Sequence, residues 1–264
     1  MTKRWCDRLL YNELGAYRIY LESKFSKETA RTYYHRLCTL FEGQDIVDTN
    51  NFDINKIISK LSEIEYKNHF SQAKNALFHY CEFQDITLSA ETLENIKALE
   101  QNTRKKYRKF EEKDYKEIRS KISHIKNEKL KLSYQVLSVT GLRVFELSQI
   151  TPSDCLVNND FITFSFIAKG GAREDVTILK EEHLKLYQDI KKQIEKISQN
   201  KKLFYSAIYL QTKAKELGFA CHDLRRVYAK LEYKKSKSKK EVMKKLRHKS
   251  IKNTNKYLKS KIKI

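Results

Sequence analysis

The chain has 264 residues, with 54 Lys and Arg against 33 Asp and Glu and a formal net charge of +21. That length supports one large or two ordinary domains with cores of their own, so stability requires no disulfide or metal staple, and two domains are expected. The charge dominates encounter with any polyanion and makes nucleic acid the first candidate partner. A membrane span is excluded, because no run approaches the roughly 18 to 20 apolar residues that it needs.

The start, Met-Thr-Lys-Arg-Trp-Cys-Asp, lacks the apolar stretch of a signal peptide, and a cytoplasmic location is expected. Cys6, Cys38, Cys81, Cys155 and Cys221 are odd in number and never in C-x-x-C spacing, which argues against a disulfide framework or a zinc site. They read as reduced core thiols.

The first hundred residues read as a four- or five-helix domain. Leu9, Leu10, Leu14 and Tyr17 recur at mostly three- and four-residue steps within a helix from about Arg4 to Glu22. Ser26 reads as the N-cap of a helix through Tyr33, Leu37, Leu40 and Phe41. Further helical patterns run through Ile54 to Leu61 and through Phe70, Ala73, Leu77 and Tyr80. The basic stretch 101–110 then breaks the periodicity and reads as a linker, in which Arg104, Lys105, Lys106, Arg108 and Lys109 are either solvated or in contact with a DNA backbone.

From 111 onward the pattern resumes. Helices are expected over Tyr115 to Ile125 and Leu130 to Val139, the second ending at Gly141. Pro152 marks a turn. Phe161 to Ile167 and Asp175 to Leu179 are aromatic or β-branched runs bracketing Lys169-Gly170-Gly171, the pattern of a β-hairpin. Helices follow at about 180–198, 206–217, 222–233, 238–246 and 250–260, and the lysine-rich run 234–240 reads as a solvated loop or a phosphate contact. The fold expected is mainly α with a small β-hairpin or sheet.

Three separated segments carry chemistry: Thr140-Gly-Leu-Arg-Val-Phe-Glu-Leu147, His222-Asp-Leu-Arg225, and Leu246-Arg-His-Lys-Ser-Ile-Lys-Asn-Thr-Asn-Lys-Tyr257. Each alone is weak, but order, spacing and neighbours together are specific. They resemble the boxes of the tyrosine site-specific recombinases, the phage integrase superfamily with its Xer-like members: T-G-x-R-x-x-E-L, H-x-L-R, and G-H-x-S-I-x-x-T-x-x-Y with tyrosine nine positions after histidine. His248 and Tyr257 have that spacing. The resemblance covers most of 111–264 and, more weakly, the N-terminal helices, which look like the family's core-binding domain.

The chemistry explains why such residues belong together. A phosphodiester under attack by an oxygen gathers further charge, and the planar fork of arginine meets it with bidentate hydrogen bonds; Arg143 and Arg225 are the candidates. A phenol in water is only roughly one part in a thousand ionised at neutral pH, so the nucleophile Tyr257 needs positive charge or a base beside it, which the arginines and His222 could supply. Lys169 is the candidate general acid for the leaving oxygen, with Arg173 close enough to compete. Glu146, one turn after Arg143, is expected to orient the basic cluster. The resemblance further implies a 3′-phosphotyrosine link, a free 5′ hydroxyl, and a hydrogen bond from His248 to the scissile phosphate.

The resemblance also implies a two-domain DNA clamp: a helical DNA-binding domain (1–100), a linker (101–110) and a catalytic domain (111–264). Two protomers would occupy an inverted-repeat core site and pair into a tetramer that exchanges strands through a Holliday junction, with no cofactor or metal. The location implied is the nucleoid. Two departures stand out. Arg247 replaces the glycine usual before the box histidine, which alters the local turn or adds a phosphate contact, and only seven residues follow Tyr257. A type IB topoisomerase, a telomere resolvase and a catalytically idle DNA-binding factor remain as alternatives.

Overall fold

The structure, a computed structural model, describes residues 14–42, 53–104, 113–168 and 171–264. The chain divides into two units, Met1–Arg108 and Lys109–Ile264, each with its own apolar core.

In the first unit the described helices are α1 (Gly15–Lys24), α2 (Lys27–Phe41), α3 (Ile54–Ser62), α4 (Lys67–Phe83) and α5 (Ala90–Asn102). Residues 1–13, which include Leu9, Leu10 and Cys6, lie outside the described residues. Asp53 caps α3 by accepting from Asn55 and Lys56 N–H, and Ser89 caps α5 by accepting from Thr92 N–H. Aromatic rings fill the core: Tyr80 meets Tyr17 edge-on at 5.2 Å and Phe41 at 5.1 Å. Tyr17 also donates its hydroxyl to Ala76 O at 2.8 Å, so its one polar atom is satisfied inside. Each such buried ring contributes about 1.5 to 3 kcal/mol.

The linker expectation meets a difference at its start. Helix α5 continues through Asn102, and Arg104 is tied by its backbone, donating to Glu65 O and accepting from Lys67 N–H beside the first turn of α4. Residues 105–110, with Lys105, Lys106, Arg108 and Lys109, lie outside the described residues.

The second unit runs β1 (Lys113–Asp114), α6 (Tyr115–Ser123), α7 (Glu128–Thr140), α8 (Val144–Gln149), a 3-10 turn at Pro152–Asp154, β2 (Cys155–Val157), β3 (Phe161–Ile167), β4 (Arg173–Leu179), α9 (Leu184–Lys196), α10 (Ala207–Glu216), α11 (Cys221–Ser236), α12 (Lys239–Lys245), α13 (Ile251–Leu258) and β5 (Ile262–Lys263). Helix α7 is its axis, buried on most sides and packed against α11. Gly141 ends it in the left-handed region at φ 60. A side chain there would be strained, and its Cβ would stand 2.3 Å from Tyr228 Cδ1, so only glycine lets α11 approach this closely.

Strands β2, β3 and β4 form an antiparallel sheet in that order. Along β3, Ile162, Phe164 and Phe166 turn inward in strict alternation, as a half-buried strand requires. The hairpin exceeds expectation by two residues at Arg173 and gains β2, a third strand. The lysine-rich run 234–240 is the end of α11 and the start of α12 joined at Lys237, which is left-handed at φ 56.

At the far end, β5 pairs in parallel with β1, Lys113 opposite Ile262. Lys230 of α11 holds the same segment, donating to Ser260 O and Ile262 O at 2.6 Å each.

Candidate active site

Three elements of the second unit converge. The start of α8 brings Arg143 and Glu146, the first turn of α11 brings His222 and Arg225, and α13 with the loop before it brings Arg247, His248 and Tyr257. Together the segments run from Thr140 to Tyr257 with long stretches of chain between them, yet Arg225 ties all three. Its guanidinium is 1 % exposed and donates to Gly141 O and Leu246 O, carbonyls within the first and third boxes.

Glu146 collects the cations. Its carboxylate accepts from the Arg143 backbone N–H at 2.7 Å and from Arg143 Nη1 at 2.6 Å. Arg225 Nη1 lies 4.0 Å and Arg247 Nη2 3.8 Å from its Oε2. Glu146 is buried at 4 % exposure. A buried carboxylate is costly unless paired and hydrogen-bonded, and here a single one serves three arginines. Arg143 remains the most open of the three, with its side chain 27 % exposed.

The Tyr257 hydroxyl stands 2.6 Å from His222 Nε2. Its ring lies 4.9 Å from the His248 ring and 6.0 Å from the Arg225 guanidinium carbon. His248 is held through Nδ1 by Thr254 Oγ1 at 3.0 Å, and Thr254 is fully buried on α13. Thr254 and the two carbonyls were not singled out from the sequence, although Thr254 occupies the threonine of the third box.

Protonation follows from the surroundings. Packing around the imidazole, then the charges of Arg226, Arg225 and Arg143, push His222 down to about 4. Burial, then Arg225 and Arg143, do the same to His248. Both rings are therefore neutral near pH 7, and a neutral His222 Nε2 can accept the Tyr257 O–H. Burial lowers Arg225 to about 10, which leaves it charged.

Arg247 is left-handed at φ 54, so the turn keeps the conformation glycine would favour while carrying a long side chain. That side chain is 9 % exposed and turns inward, 5.1 Å over the Phe166 ring and toward Glu146, where the expectation was an altered local turn or a further phosphate contact. Arg173 is an exposed residue at the start of β4, and Arg104 belongs to the first unit. Lys169, the expected general acid, lies outside the described residues. Burial raises the thiols of Cys81, Cys155 and Cys221 to between about 11 and about 12, as for core cysteines. Among the described residues no group of three or more His, Cys, Asp or Glu is placed to hold a metal ion, and no helix is long and apolar enough to cross a membrane. A cavity of about 1490 Å³ runs along β4 and meets this cluster at Arg247 and Tyr228, while Tyr257, Arg143 and His222 lie outside its lining.

No protein-family model matches the chain, and no curated protein does. Solved structures do. A lambda integrase fragment, solved as a dimer bound to a COC′ core site, superposes with a TM-score of 0.66 at 18 % identity, covering 95 % of each chain. The XerH site-specific recombinase bound to its difH substrate in a pre-cleavage complex gives 0.62 at 17 % identity over 86 % of this chain and 76 % of that one. The Tn1549 transposon integrase in complex with transposon right end DNA gives 0.63 at 16 % identity over 93 % of each. With the mainly helical second unit and its three-stranded sheet, these likenesses show that the chain has the fold of the tyrosine recombinases and integrases.

Proposed function

We propose that the chain is a site-specific DNA recombinase that cuts and rejoins strands through a covalent link to Tyr257. The observation that carries this reading is the 2.6 Å contact between the Tyr257 hydroxyl and His222 Nε2 at the edge of a buried arginine cluster. In the reaction, the phenol oxygen attacks the phosphorus of a backbone phosphodiester and its proton passes to His222. Arg143 and Arg225 hold the non-bridging oxygens as charge gathers on them, and His248 donates a further hydrogen bond. The bond from phosphorus to the 5′ oxygen breaks, Lys169 gives that oxygen its proton, and a 3′-phosphotyrosine remains. A 5′ hydroxyl from a partner strand reverses the steps. The link conserves the phosphodiester, so no nucleotide is consumed, and the arginines supply the charge a metal otherwise would.

Residues 1–100 act as the DNA-binding domain, 101–110 as a basic linker along the backbone, and 111–264 as the catalytic domain. Arg104, Lys105, Lys106, Arg108, Lys109 and Arg173 are the candidate phosphate contacts, and Arg247 acts from within the site. Binding is then strongly salt-dependent. By analogy with the lambda integrase dimer on its core site, two protomers occupy an inverted-repeat site, pairing into a tetramer that passes through a Holliday junction. The role is integration or excision of a mobile element or resolution of DNA multimers, in the cytoplasm on the nucleoid.

The test incubates wild-type chain and Tyr257→Phe with DNA flanking its own gene, denatures, and maps covalent adducts by peptide mass spectrometry. An adduct on Tyr257, absent from the variant, is expected. Equal adducts from both proteins would remove Tyr257 as nucleophile, and relaxation of arbitrary supercoiled DNA without recombinant product would make the enzyme a topoisomerase instead.

A further inference from the structure

Arg247 occupies the least comfortable backbone position in the cluster. A non-glycine residue at φ 54 is strained, and a guanidinium withdrawn from water costs more unless paired. Its pairing is partial. Nη2 reaches Glu146 Oε2 at 3.8 Å and Gly141 O at 3.5 Å, the carbonyl that also receives Arg225. Among the described residues, the buried Nε atoms of Arg247 and Arg225 have no hydrogen-bond partner. Glu146 faces Arg247 from α8, while Glu174 of β4 and Tyr228 of α11 act on it more weakly. Among the described residues no carboxylate is dedicated to it.

The charges can be counted. Among the described residues of the cluster, Arg143 and Arg225 against Glu146 leave one net positive charge, the match for a phosphodiester monoanion. With Arg247 the excess is two, the match for a phosphorane that has taken up a second negative charge. We propose that Arg247 is a positioning residue that shares the Glu146 carboxylate with Arg143 and Arg225 and gives the site a second net positive charge, tuning it to a dianionic oxyphosphorus centre. It touches no substrate itself. Its field acts through Glu146, leaving Arg143 less committed to that carboxylate and freer to turn to the phosphate. The inference rests on reading the site as one for a phosphodiester.

Arg247→Gly is the informative variant, because glycine accepts φ 54 and removes the charge without disturbing the turn. Arg247→Lys restores the charge without the fork. The full chain is titrated with inorganic phosphate, mostly dianion near pH ~8 and mostly monoanion near pH ~6, and binding is followed through the imidazole NMR signals of His222 and His248, which report this site alone. The wild-type chain is expected to prefer the dianion. Arg247→Gly weakens dianion binding about tenfold and loses the preference, and Arg247→Lys recovers it to within about threefold, as expected for one charge a few ångströms off in partly screened surroundings. A merely structural role for Arg247 predicts equal weakening for both anions. That result, or unchanged affinity in Arg247→Gly, or no binding by the wild-type chain, overturns the proposal. Adduct formation on DNA separates the two claims. A Tyr257 adduct with unchanged phosphate affinity in Arg247→Gly defeats only the role of Arg247, and a tenfold loss with no adduct defeats only the recombinase reading.

Discussion

The two units bury their side chains on different terms. In Met1–Arg108 the described core is apolar and aromatic, and Tyr17 satisfies its hydroxyl on a neighbouring helix. Among the described residues every buried charged side chain, Glu146, Asp223, Arg225 and Glu232, belongs to Lys109–Ile264. The first unit is thus organised by hydrophobic transfer, which is forgiving of detail. The second holds charges that attract one another strongly only while each stays in place, so its geometry is specified at a cost in stability.

The contrast breaks most visibly at Arg225. Arg225→Ala leaves Leu246 O without its side-chain donor and Gly141 O with only the long contact from Arg247, and is expected to cost about 3 to 5 kcal/mol, read by denaturant unfolding together with loss of amide protection in α7, α11 and α12. A loss under about 1 kcal/mol would mean that the buried charge is not what holds the three segments together.

Acid sharpens the contrast more gently. His222 and His248 sit at about 4 in the folded chain against 6.5 ordinarily, so between those values the unfolded chain binds more protons. Stability that is complete above pH 6.5 is therefore lost as pH falls toward 4. Solvent at the open edge of His222 screens the effect, and about 1 to 2 kcal/mol is expected in total. His35 in the first unit is shifted the same way by burial, so the comparison is one of degree. Hydrogen exchange at pH ~7.5 and ~4.5 reads it, and equal weakening of both units would abolish it. The smallest effect belongs to the first unit, where Tyr17→Phe removes one buried hydrogen bond and is expected to cost about 1 kcal/mol in thermal unfolding, with no change in the proposed DNA cleavage.

Much of this was legible in the residues. Helices α2 and α4 carry apolar residues on one face, β3 alternates, and Gly141 stops α7 as its position suggested. The illegible elements share a cause. Helix α5 buries only Ile96, so its periodicity is faint. Strands β1, β2 and β5 are two or three residues long, too short for alternation, and exist only because a partner segment lies beside them. In the site, the boxes marked Arg143, His222, Arg225, His248 and Tyr257, and they say nothing of direction. That Glu146 serves three arginines, and that Arg247 folds inward onto Phe166, depends on α8, α11 and β3 meeting in space.

The fastening beyond α13 bears on timing. Two rungs of parallel strand and the two hydrogen bonds of Lys230 hold the chain that leaves the Tyr257 helix. At about 1 kcal/mol for each hydrogen bond, such a fastening opens on the order of once in a few hundred to a few thousand observations, far more often than a whole domain unfolds. The proposed nucleophile therefore has a duty cycle. In the proposed reaction, the fraction of time for which Tyr257 stands ready is governed by a clasp of six residues, Lys113, Asp114, Lys230, Ser260, Ile262 and Lys263, which lies outside the site.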